Sequence, residues 1–230
     1  MACSSGLAVF VKTPGLTPLK TRLAAGIGVQ AAEEFYRLSC LALEETLQSS
    51  AGLQAYWALA EASSEAFEYP LWARLPRLPQ GEGQLGLRLD SIYRQLLTRH
   101  SQAILIGADT PHLPKAYIES AMQKASEGGF VVGPADDGGF YLFAGTRPIP
   151  PEVWTSVGYS CESTLHELLA ALGTEEAVTF LPPLRDIDSA EDLSSVLSLL
   201  AHTQPKSPGA LDLLTWFEAL GLKNATPQPK

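Results

Sequence analysis

The chain has 230 residues, of which 46% are hydrophobic and 18% are charged, and its formal net charge is −9. This length and hydrophobic share fit one globular domain with a packed core and exclude wholesale disorder. The acidic balance argues against a protein that coats nucleic acid, which needs a basic surface, and no apolar run approaches the roughly 20 residues of a membrane span.

Short apolar runs alternate with amphipathic segments along the chain. Strands are predicted at 6–11, 53–59, 103–106, 130–132, 140–143 and 178–181. Helices are predicted at 29–48, 85–97, 114–125, 164–172 and 190–200. The alternation predicts an α/β fold whose sheet is mostly parallel and covered by helices. The strands at 130–132 and 140–143 are too close in sequence for a helical crossover, so this part of the sheet is predicted to be antiparallel or irregular.

Prolines and glycines in the segment 70–83 predict a region that is mostly loop. A domain at 1–202 is followed by a linker, an amphipathic helix and a tail at 203–230. In that helix Leu213, Phe217 and Leu220 share one face, which either packs back on the domain or forms a dimer contact.

The three cysteines are widely spaced and odd in number, which predicts neither a disulfide framework nor a zinc site. The N-terminus lacks the basic region of a signal peptide. Together these features predict a cytoplasmic protein.

A cationic segment follows the first predicted strand. Residues 1–32 contain Lys12, Lys20 and Arg22 and no acidic residue. Ammonium and guanidinium groups near a helix N-terminus can hold a di- or triphosphate, so this segment predicts a phosphate site on an acidic protein. The spacing is not that of a P-loop. The alternative interpretation is three solvated surface cations.

Acidic residues follow two of the predicted strands. Asp109 comes directly after one of them, and Asp186 and Asp188 come after the last one. Carboxylates at the carboxyl ends of strands suit a hard divalent cation that bridges phosphate oxygens. Alternation along an extended chain sends the carboxylates of Asp186 and Asp188 to the same side. The alternative is a turn or helix-cap role for Asp109 and a loop role for Asp188.

Two aspartates and two glycines, Asp136, Asp137, Gly138 and Gly139, separate the two closely spaced strands. Adjacent carboxylates repel one another unless they are exposed, hydrogen-bonded or shared with a cation. Paired glycines allow a substrate to approach the backbone closely. The segment therefore predicts a substrate site, with a plain tight turn as the alternative.

Gly81, Gly83 and Gly86 fit the G-x-G-x-x-G pattern of dinucleotide-binding proteins. Pro76 and Pro79 lie just before them and suit a buried central strand poorly, so NAD binding is not predicted. The four histidines have no metal-ligand spacing and form no evident Ser/His/Asp group, which gives no support to hydrolase chemistry.

Four motifs occur in order between residues 6 and 200. They are VKTPG (11–15) with KTRL (20–23), IGADTP (106–111), GPADDGGFYL (133–142), and LP (181–182) with DIDSAEDL (186–193). Together they resemble the bacterial radical-SAM/selenodomain-associated transferases of type 1, a family of the nucleotide-diphospho-sugar transferase superfamily with the glycosyltransferase-A fold. Two family features differ here: Gln84 stands where an acidic residue is common, and the segment 157–160 lacks a tryptophan.

The resemblance implies a three-layer α/β/α sandwich with a mixed, mostly parallel sheet. It implies that the nucleotide is bound by Lys12, Thr13, Pro14, Lys20 and Arg22. It implies that Mg²⁺ or Mn²⁺ is bound by Asp109 and Asp188. The residues expected at the second substrate are Asp136, Asp137, Gly138, Gly139, Gly86 and Arg88. The residues expected to be catalytic are Lys20, Asp109 and Asp137.

The sequence therefore predicts a metal-dependent transferase that takes a nucleotide or nucleotide-sugar donor and a small-molecule acceptor. Glycosyl transfer and nucleotidyl transfer of the guanylyltransferase type both stay open, because three cations near the phosphates suit either reaction. A nucleotide-binding module without turnover is the third hypothesis. Neither a nucleic-acid partner nor a membrane span is expected, and a homodimer is left open.

Overall fold

The computed structural model describes residues 5–173, 177–202 and 207–221. The strands are β1 (Ser5–Val11), β2 (Leu53–Leu59), β3 (Arg77–Pro79), β4 (Gln102–Gly107), β5 (Phe130–Pro134), β6 (Phe140–Gly145) and β7 (Val178–Phe180). The helices are α1 (Thr21–Ile27), α2 (Val29–Gln48), α3 (Ser64–Phe67), α4 (Leu85–Leu97), α5 (Lys115–Ser126), α6 (Pro151–Thr155), α7 (Thr164–Leu172), α8 (Asp192–His202) and α9 (Pro208–Ala219). Within the described ranges, no helix combines the length and the apolar character that crossing a membrane requires.

The seven strands form one mixed sheet in the order β3-β2-β1-β4-β6-β5-β7. All neighbouring pairs are parallel except those that involve β6, which is antiparallel to both β4 and β5. The predicted mixed, mostly parallel sheet is therefore confirmed, including the antiparallel pairing of the two closely spaced strands. The carboxyl ends of the six parallel strands consequently lie along one edge.

Helices cover both faces of the sheet, as the alternation of side chains along β1 shows. Leu7 and Val9 point to one face and join a core with Tyr36 and Leu43 of α2, whereas Ala8 points to the other face. That second core contains buried residues of α4 and α6. Since each strand is covered on both sides, its sequence is almost continuously apolar. The three-layer α/β/α arrangement is confirmed.

The segment 70–83 contains an edge strand that the sequence did not predict. Residues Arg77–Pro79 pair in parallel with residues 57–59 of β2. An edge strand tolerates proline because the N–H groups on one side of its backbone have no neighbouring strand to hydrogen-bond to. The prolines are thus compatible with a short strand at the sheet edge.

The last predicted helix of the domain begins at Asp192, two residues later than predicted. The Asp192 carboxylate accepts hydrogen bonds from the backbone N–H groups of Asp188, at 3.2 Å, and of Ser189, at 2.9 Å. These bonds hold the preceding residues in a turn, which delays the start of the helix and fixes the loop that carries Asp188.

The C-terminal helix α9 packs on its own chain. Leu213 and Phe217 are fully buried in a third core with Phe35 and Leu38 of α2. The Ser207 side chain caps the helix by accepting a hydrogen bond from the N–H of Ala210. The first of the two interpretations of this helix is therefore correct. Residues 203–206 of the predicted linker and the tail at 222–230 lie outside the described residues, and the division at residue 202 stays a prediction.

Candidate functional site

A cleft of three connected chambers runs along the sheet edge where the parallel strands end. The largest, of about 590 Å³, is the acidic chamber, and its lining includes Asp109, Asp137, Asp186, Asp188, Glu162 and Arg22. The cationic chamber, of about 460 Å³, is lined by Lys12, Lys20, Arg22, Asp109 and Asp188 among others. The lateral chamber, of about 290 Å³, is lined by Lys12, Gln80 and Arg88 among others. The early cations and the later carboxylates thus meet in one cleft, as the sequence predicted.

Lys20 lies between the two predicted metal ligands. Its Nζ is 2.7 Å from Oδ1 of Asp109 and 3.7 Å from Oδ1 of Asp188, and it donates a hydrogen bond to the carbonyl of Ile187. The Lys20 side chain is only 6% exposed. Its backbone has φ 44° and ψ 44°, a left-handed conformation that is unfavourable for a residue with a side chain. The ion pairs with two different loops hold Lys20 in this conformation.

The loops that carry Asp109 and Asp188 are joined directly. The backbone N–H of Ile187 donates a 3.1 Å hydrogen bond to the backbone carbonyl of Asp109. Asp109 follows the end of β4, and Ile187 precedes Asp188, so this bond sets the spacing of the two carboxylates. Two loops that are far apart in sequence are therefore held together at this point.

Arg22 differs from Lys20 in its exposure. Its Nη1 is 3.7 Å from Oδ2 of Asp188, and 80% of its side chain is exposed. An exposed pair at this distance contributes little to stability. The Arg22 guanidinium is therefore able to turn toward a ligand at small cost.

The loop after β1 is fixed by Tyr36, which is not among the predicted site residues. The Tyr36 hydroxyl accepts a 2.9 Å hydrogen bond from the backbone N–H of Lys12 and donates one of 3.1 Å to the carbonyl of the same residue. Tyr36 is 4% exposed. The core of the protein thus positions the backbone of Lys12.

Glu61 fixes the same loop from the end of β2. Its carboxylate accepts a 3.0 Å hydrogen bond from the N–H of Thr13 and a 2.5 Å bond from the hydroxyl of Thr17. Thr13 is fully buried, and its Oγ1 accepts a 3.3 Å hydrogen bond from the indole of Trp72. The expectation that Thr13 binds nucleotide is corrected: its side chain anchors the loop. Pro14 lines none of the three chambers.

The two adjacent aspartates have different surroundings. Asp137 lines the acidic chamber, and its Oδ1 accepts a 2.9 Å hydrogen bond from the N–H of Gly139. Asp136 is outside the three chambers and instead pairs at 3.4 Å with Arg185, each side chain being about half exposed. The predicted substrate role is therefore not supported for Asp136, because its side chain is turned toward Arg185.

Gly138 and Gly86 pack closely against backbone and line none of the three chambers, which gives no support to their assignment to a substrate. A Cβ on Gly138, which has φ +87°, would lie 2.1 Å from the carbonyl oxygen of Glu162. A Cβ on Gly86 would lie 2.3 Å from the carbonyl oxygen of Trp154. Both glycines let backbone segments touch, whereas Gly139 does line the acidic chamber.

Arg88 lines the lateral chamber, as its predicted place near a substrate requires. Its guanidinium donates a 2.9 Å hydrogen bond to the carbonyl of Gly83 and contacts Oε1 of Gln80 at 3.4 Å. Gln80 is buried and donates a 2.8 Å hydrogen bond to the carbonyl of Ala58. The lining of this chamber includes two cations, Lys12 and Arg88, and the amide of Gln80, but no carboxylate.

Asp186 has an elevated pKa. Burial, together with the neighbouring carboxylates of Asp109 and Asp137, raises the pKa of Asp186 to about 7. Several carboxylates thus share a partly enclosed space in which one of them binds a proton readily near neutral pH. Such a group can accept a proton during a reaction.

The segment 159–161 also lines the acidic chamber, and the sequence pointed to this region only through the tryptophan missing from 157–160. Tyr159, Ser160 and Cys161 all line this chamber. Ser160 has φ 63°, and hydrogen bonds from Ser163 and Thr164 lower the pKa of the exposed Cys161 thiol. The sequence signal for this segment is weak, because the segment is irregular and far from the charged motifs.

The donor atoms around Lys20 match a hard divalent cation. Asp109, Asp188 and the carbonyl of Ile187 present oxygen atoms, which Mg²⁺ and Mn²⁺ prefer. The ammonium of Lys20 is itself a cation held at these oxygens. Within the described ranges, no three His, Cys, Asp or Glu side chains are placed to hold a metal together. The residues therefore fit a metal that has two carboxylate ligands and takes others from a substrate or from water.

Comparison with known proteins yields a family and a set of similar folds. The family described as uncharacterized proteins conserved in bacteria (DUF2064) matches residues 43–161. No curated protein matches the chain.

Solved structures share the fold. The "putative nucleotide-diphospho-sugar transferase" of Desulfovibrio desulfuricans G20 is 22% identical, with a TM-score of 0.81 over 94% of this chain and 96% of that chain. CMP:2-keto-3-deoxy-manno-octonic acid synthetase, in complex with CTP, is 11% identical, with a TM-score of 0.52 over 86% of this chain and 98% of that chain. Rv0371C of Mycobacterium tuberculosis H37Rv, in complex with manganese, is 14% identical, with a TM-score of 0.52 over 85% and 98%. At these identities the likeness shows the fold alone.

Proposed function

The chain belongs to the DUF2064 family of bacterial proteins, and from that premise we propose that it is a divalent-metal-dependent glycosyltransferase that uses a nucleotide-sugar donor. The observation that carries the proposal is the uneven distribution of charge within one cleft. Three cations and two carboxylates line the cationic chamber, whereas five carboxylates, one arginine and several aromatic rings line the acidic chamber beside it. The narrower resemblance to radical-SAM/selenodomain-associated transferases of type 1 stays a prediction.

The cationic chamber suits the diphosphate of the donor. Lys12, Lys20 and Arg22 would bind its oxygens by charge-assisted hydrogen bonds. A divalent cation held by Asp109 and Asp188 would neutralise the charge that grows on the departing diphosphate. The similar fold of a synthetase in complex with CTP supports a nucleotide in this cleft, and that of a protein in complex with manganese supports a divalent metal.

The acidic chamber suits a neutral acceptor with hydroxyl groups. Besides Asp109 and Asp188, whose charge the proposed cation would offset, Asp137, Glu162 and Asp186 line it, so an acceptor that carries a phosphate would be disfavoured. Phe10, Phe140 and Tyr159 provide flat apolar surfaces on which the carbon face of a sugar or a ring could pack. This charge distribution favours glycosyl transfer over the nucleotidyl transfer to an acceptor phosphate that the sequence left open.

Asp137 is the proposed general base. The acceptor oxygen forms a bond to the anomeric carbon of the donor sugar while the bond from that carbon to the diphosphate oxygen breaks. The hydroxyl proton passes to the Asp137 carboxylate, and the electron pair leaves with the nucleoside diphosphate. Removal of a base of this kind lowers turnover by about 10²–10⁴-fold. Asp186 lies in the same chamber as Asp137.

A matched pair of variants tests the proposal. The chain is incubated with Mn²⁺, a panel of sugar nucleotides and nucleoside triphosphates, and a mixture of small acceptors that carry hydroxyl or phosphate groups. Melting temperature and release of nucleoside diphosphate or pyrophosphate are measured. We expect a sugar nucleotide to raise the melting temperature and to release nucleoside diphosphate. Asp137→Asn should lower release by about 100-fold or more and keep donor binding, whereas Asp136→Asn should leave both unchanged.

Other outcomes would overturn the proposal. Release of pyrophosphate from a triphosphate would establish nucleotidyl transfer instead. Binding without any turnover across the panel would favour a nucleotide-binding module, and equal losses in the two variants would remove Asp137 from its role.

A further inference from the structure

We propose that Lys20 and a divalent cation bind the same oxygens in turn, so that the metal enters the cleft only as the Lys20 ammonium leaves it. Lys20 is thus an internal counter-ion for the metal site. The inference rests on the proposed function in one respect, which is that the phosphates of a nucleotide draw the ammonium away.

The contacts of the Lys20 ammonium leave no room for a second cation. An ammonium group has three hydrogens, and three oxygens surround it: Oδ1 of Asp109 at 2.7 Å, Oδ1 of Asp188 at 3.7 Å and the carbonyl of Ile187. A metal bound by the same carboxylates would lie within a few ångströms of Nζ, where the repulsion between like charges is strong. Occupation by one cation therefore excludes the other.

The Lys20 ammonium can move from the carboxylates into the cationic chamber. It lines the cationic chamber with Lys12 and Arg22, and its flexible stem lets the ammonium turn into that space. A diphosphate bound there would offer anionic oxygens in exchange for those of Asp109 and Asp188. The left-handed backbone of Lys20, which the present ion pairs help to hold, is also free to relax once they break.

This exchange couples the two ligands of the cleft. In the ligand-free protein a metal must displace a buried ammonium, which weakens its binding. An anion in the cationic chamber draws the Lys20 ammonium away and so strengthens metal binding. By thermodynamic linkage the metal strengthens the binding of the anion by the same factor. Metal and nucleotide are then expected to bind together.

The test measures the affinity of the full chain for Mn²⁺ alone, by calorimetry or by the paramagnetic resonance of the free ion. Lys20→Met removes the competing cation and should tighten Mn²⁺ binding by about thirtyfold. Arg22→Met is the matched control, because Arg22 also lies 3.7 Å from Asp188 but is 80% exposed. It removes the same charge and should tighten Mn²⁺ binding by less than about fivefold.

A second measurement uses the unaltered chain, in case Lys20→Met does not fold. Amine labelling followed by mass spectrometry reports the accessibility of Lys20 relative to Lys115, which is 43% exposed and lies on α5. Saturating Mn²⁺ should raise the labelling of Lys20, whose side chain is 6% exposed, and leave that of Lys115 unchanged.

Three results would overturn the inference: unchanged Mn²⁺ affinity in Lys20→Met, equal increases in both variants, or labelling of Lys20 that does not respond to Mn²⁺. Neither measurement contains a nucleotide or depends on turnover. Failure of the proposed function would instead appear as absence of sugar-nucleotide binding, with the exchange between Lys20 and Mn²⁺ still present.

Discussion

Replacing Tyr36 with phenylalanine should destabilise the fold through the loop after β1. The hydroxyl makes two hydrogen bonds to the backbone of Lys12, of 2.9 and 3.1 Å, and the ring is 4% exposed. Phenylalanine keeps the ring but leaves the N–H and carbonyl of Lys12 without this partner. At about 1 kcal/mol for each lost bond, the free energy of unfolding should fall by about 2 kcal/mol. For a chain of this length that corresponds to a melting temperature about 4–8 °C lower.

The assay is urea and thermal unfolding of Tyr36→Phe beside Tyr117→Phe. Tyr117 is half-buried on α5, and its hydroxyl has no hydrogen-bond partner among the described residues. Its substitution should change the stability by less than about 0.5 kcal/mol. Equal stability of the two variants would show that the bonds to Lys12 contribute nothing, and would refute the claim that the core holds this loop.

Two further predictions concern stability. Burial lowers the pKa of His112 to about 4 from an ordinary 6.5. Between these two pH values the unfolded chain binds more protons than the folded chain, so the free energy of unfolding falls as the pH is lowered through this range. His112→Leu should reduce the loss between pH 7 and pH 4 by about 3 kcal/mol in urea unfolding, and an unchanged pH dependence would contradict it. Gly138→Ala places a Cβ 2.1 Å from a backbone oxygen at φ +87° and should cost about 3 kcal/mol, whereas Gly128→Ala, at φ +101° with nothing within 4 Å, should cost only about 1 kcal/mol. An equal fall in the free energy of unfolding of the two alanine variants would mean that the turn at Gly138 rearranges to avoid the clash.

The strands and helices could largely be predicted because their signal is local. The amphipathic helices at 29–48, 85–97 and 164–172 have the predicted bounds. The exceptions are the short helices α3 and α6, which were not predicted, and the edge strand β3. At β3 the prolines indicate a loop, and the pairing with β2 is not visible in the local sequence.

The general place of the site also followed from the sequence. Asp109 and the cationic segment each come after a predicted strand, and parallel strands end at one edge of a sheet. Both groups do line the same cleft. Their individual partners were not predictable, because Lys20 contacts the carbonyl of a residue 167 positions away and Thr13 contacts a carboxylate 48 positions away.

Periodicity and strand ends therefore determined the α/β architecture and the edge at which charged residues gather. Tertiary packing decided which of two adjacent aspartates faces the cleft, that Thr13 is an anchor, and that Lys20 lies against the carboxylates expected to bind a metal. Local patterns arise from interactions between residues a few positions apart. The direction of a side chain at a loop is instead set by contacts that form only when distant segments are packed together.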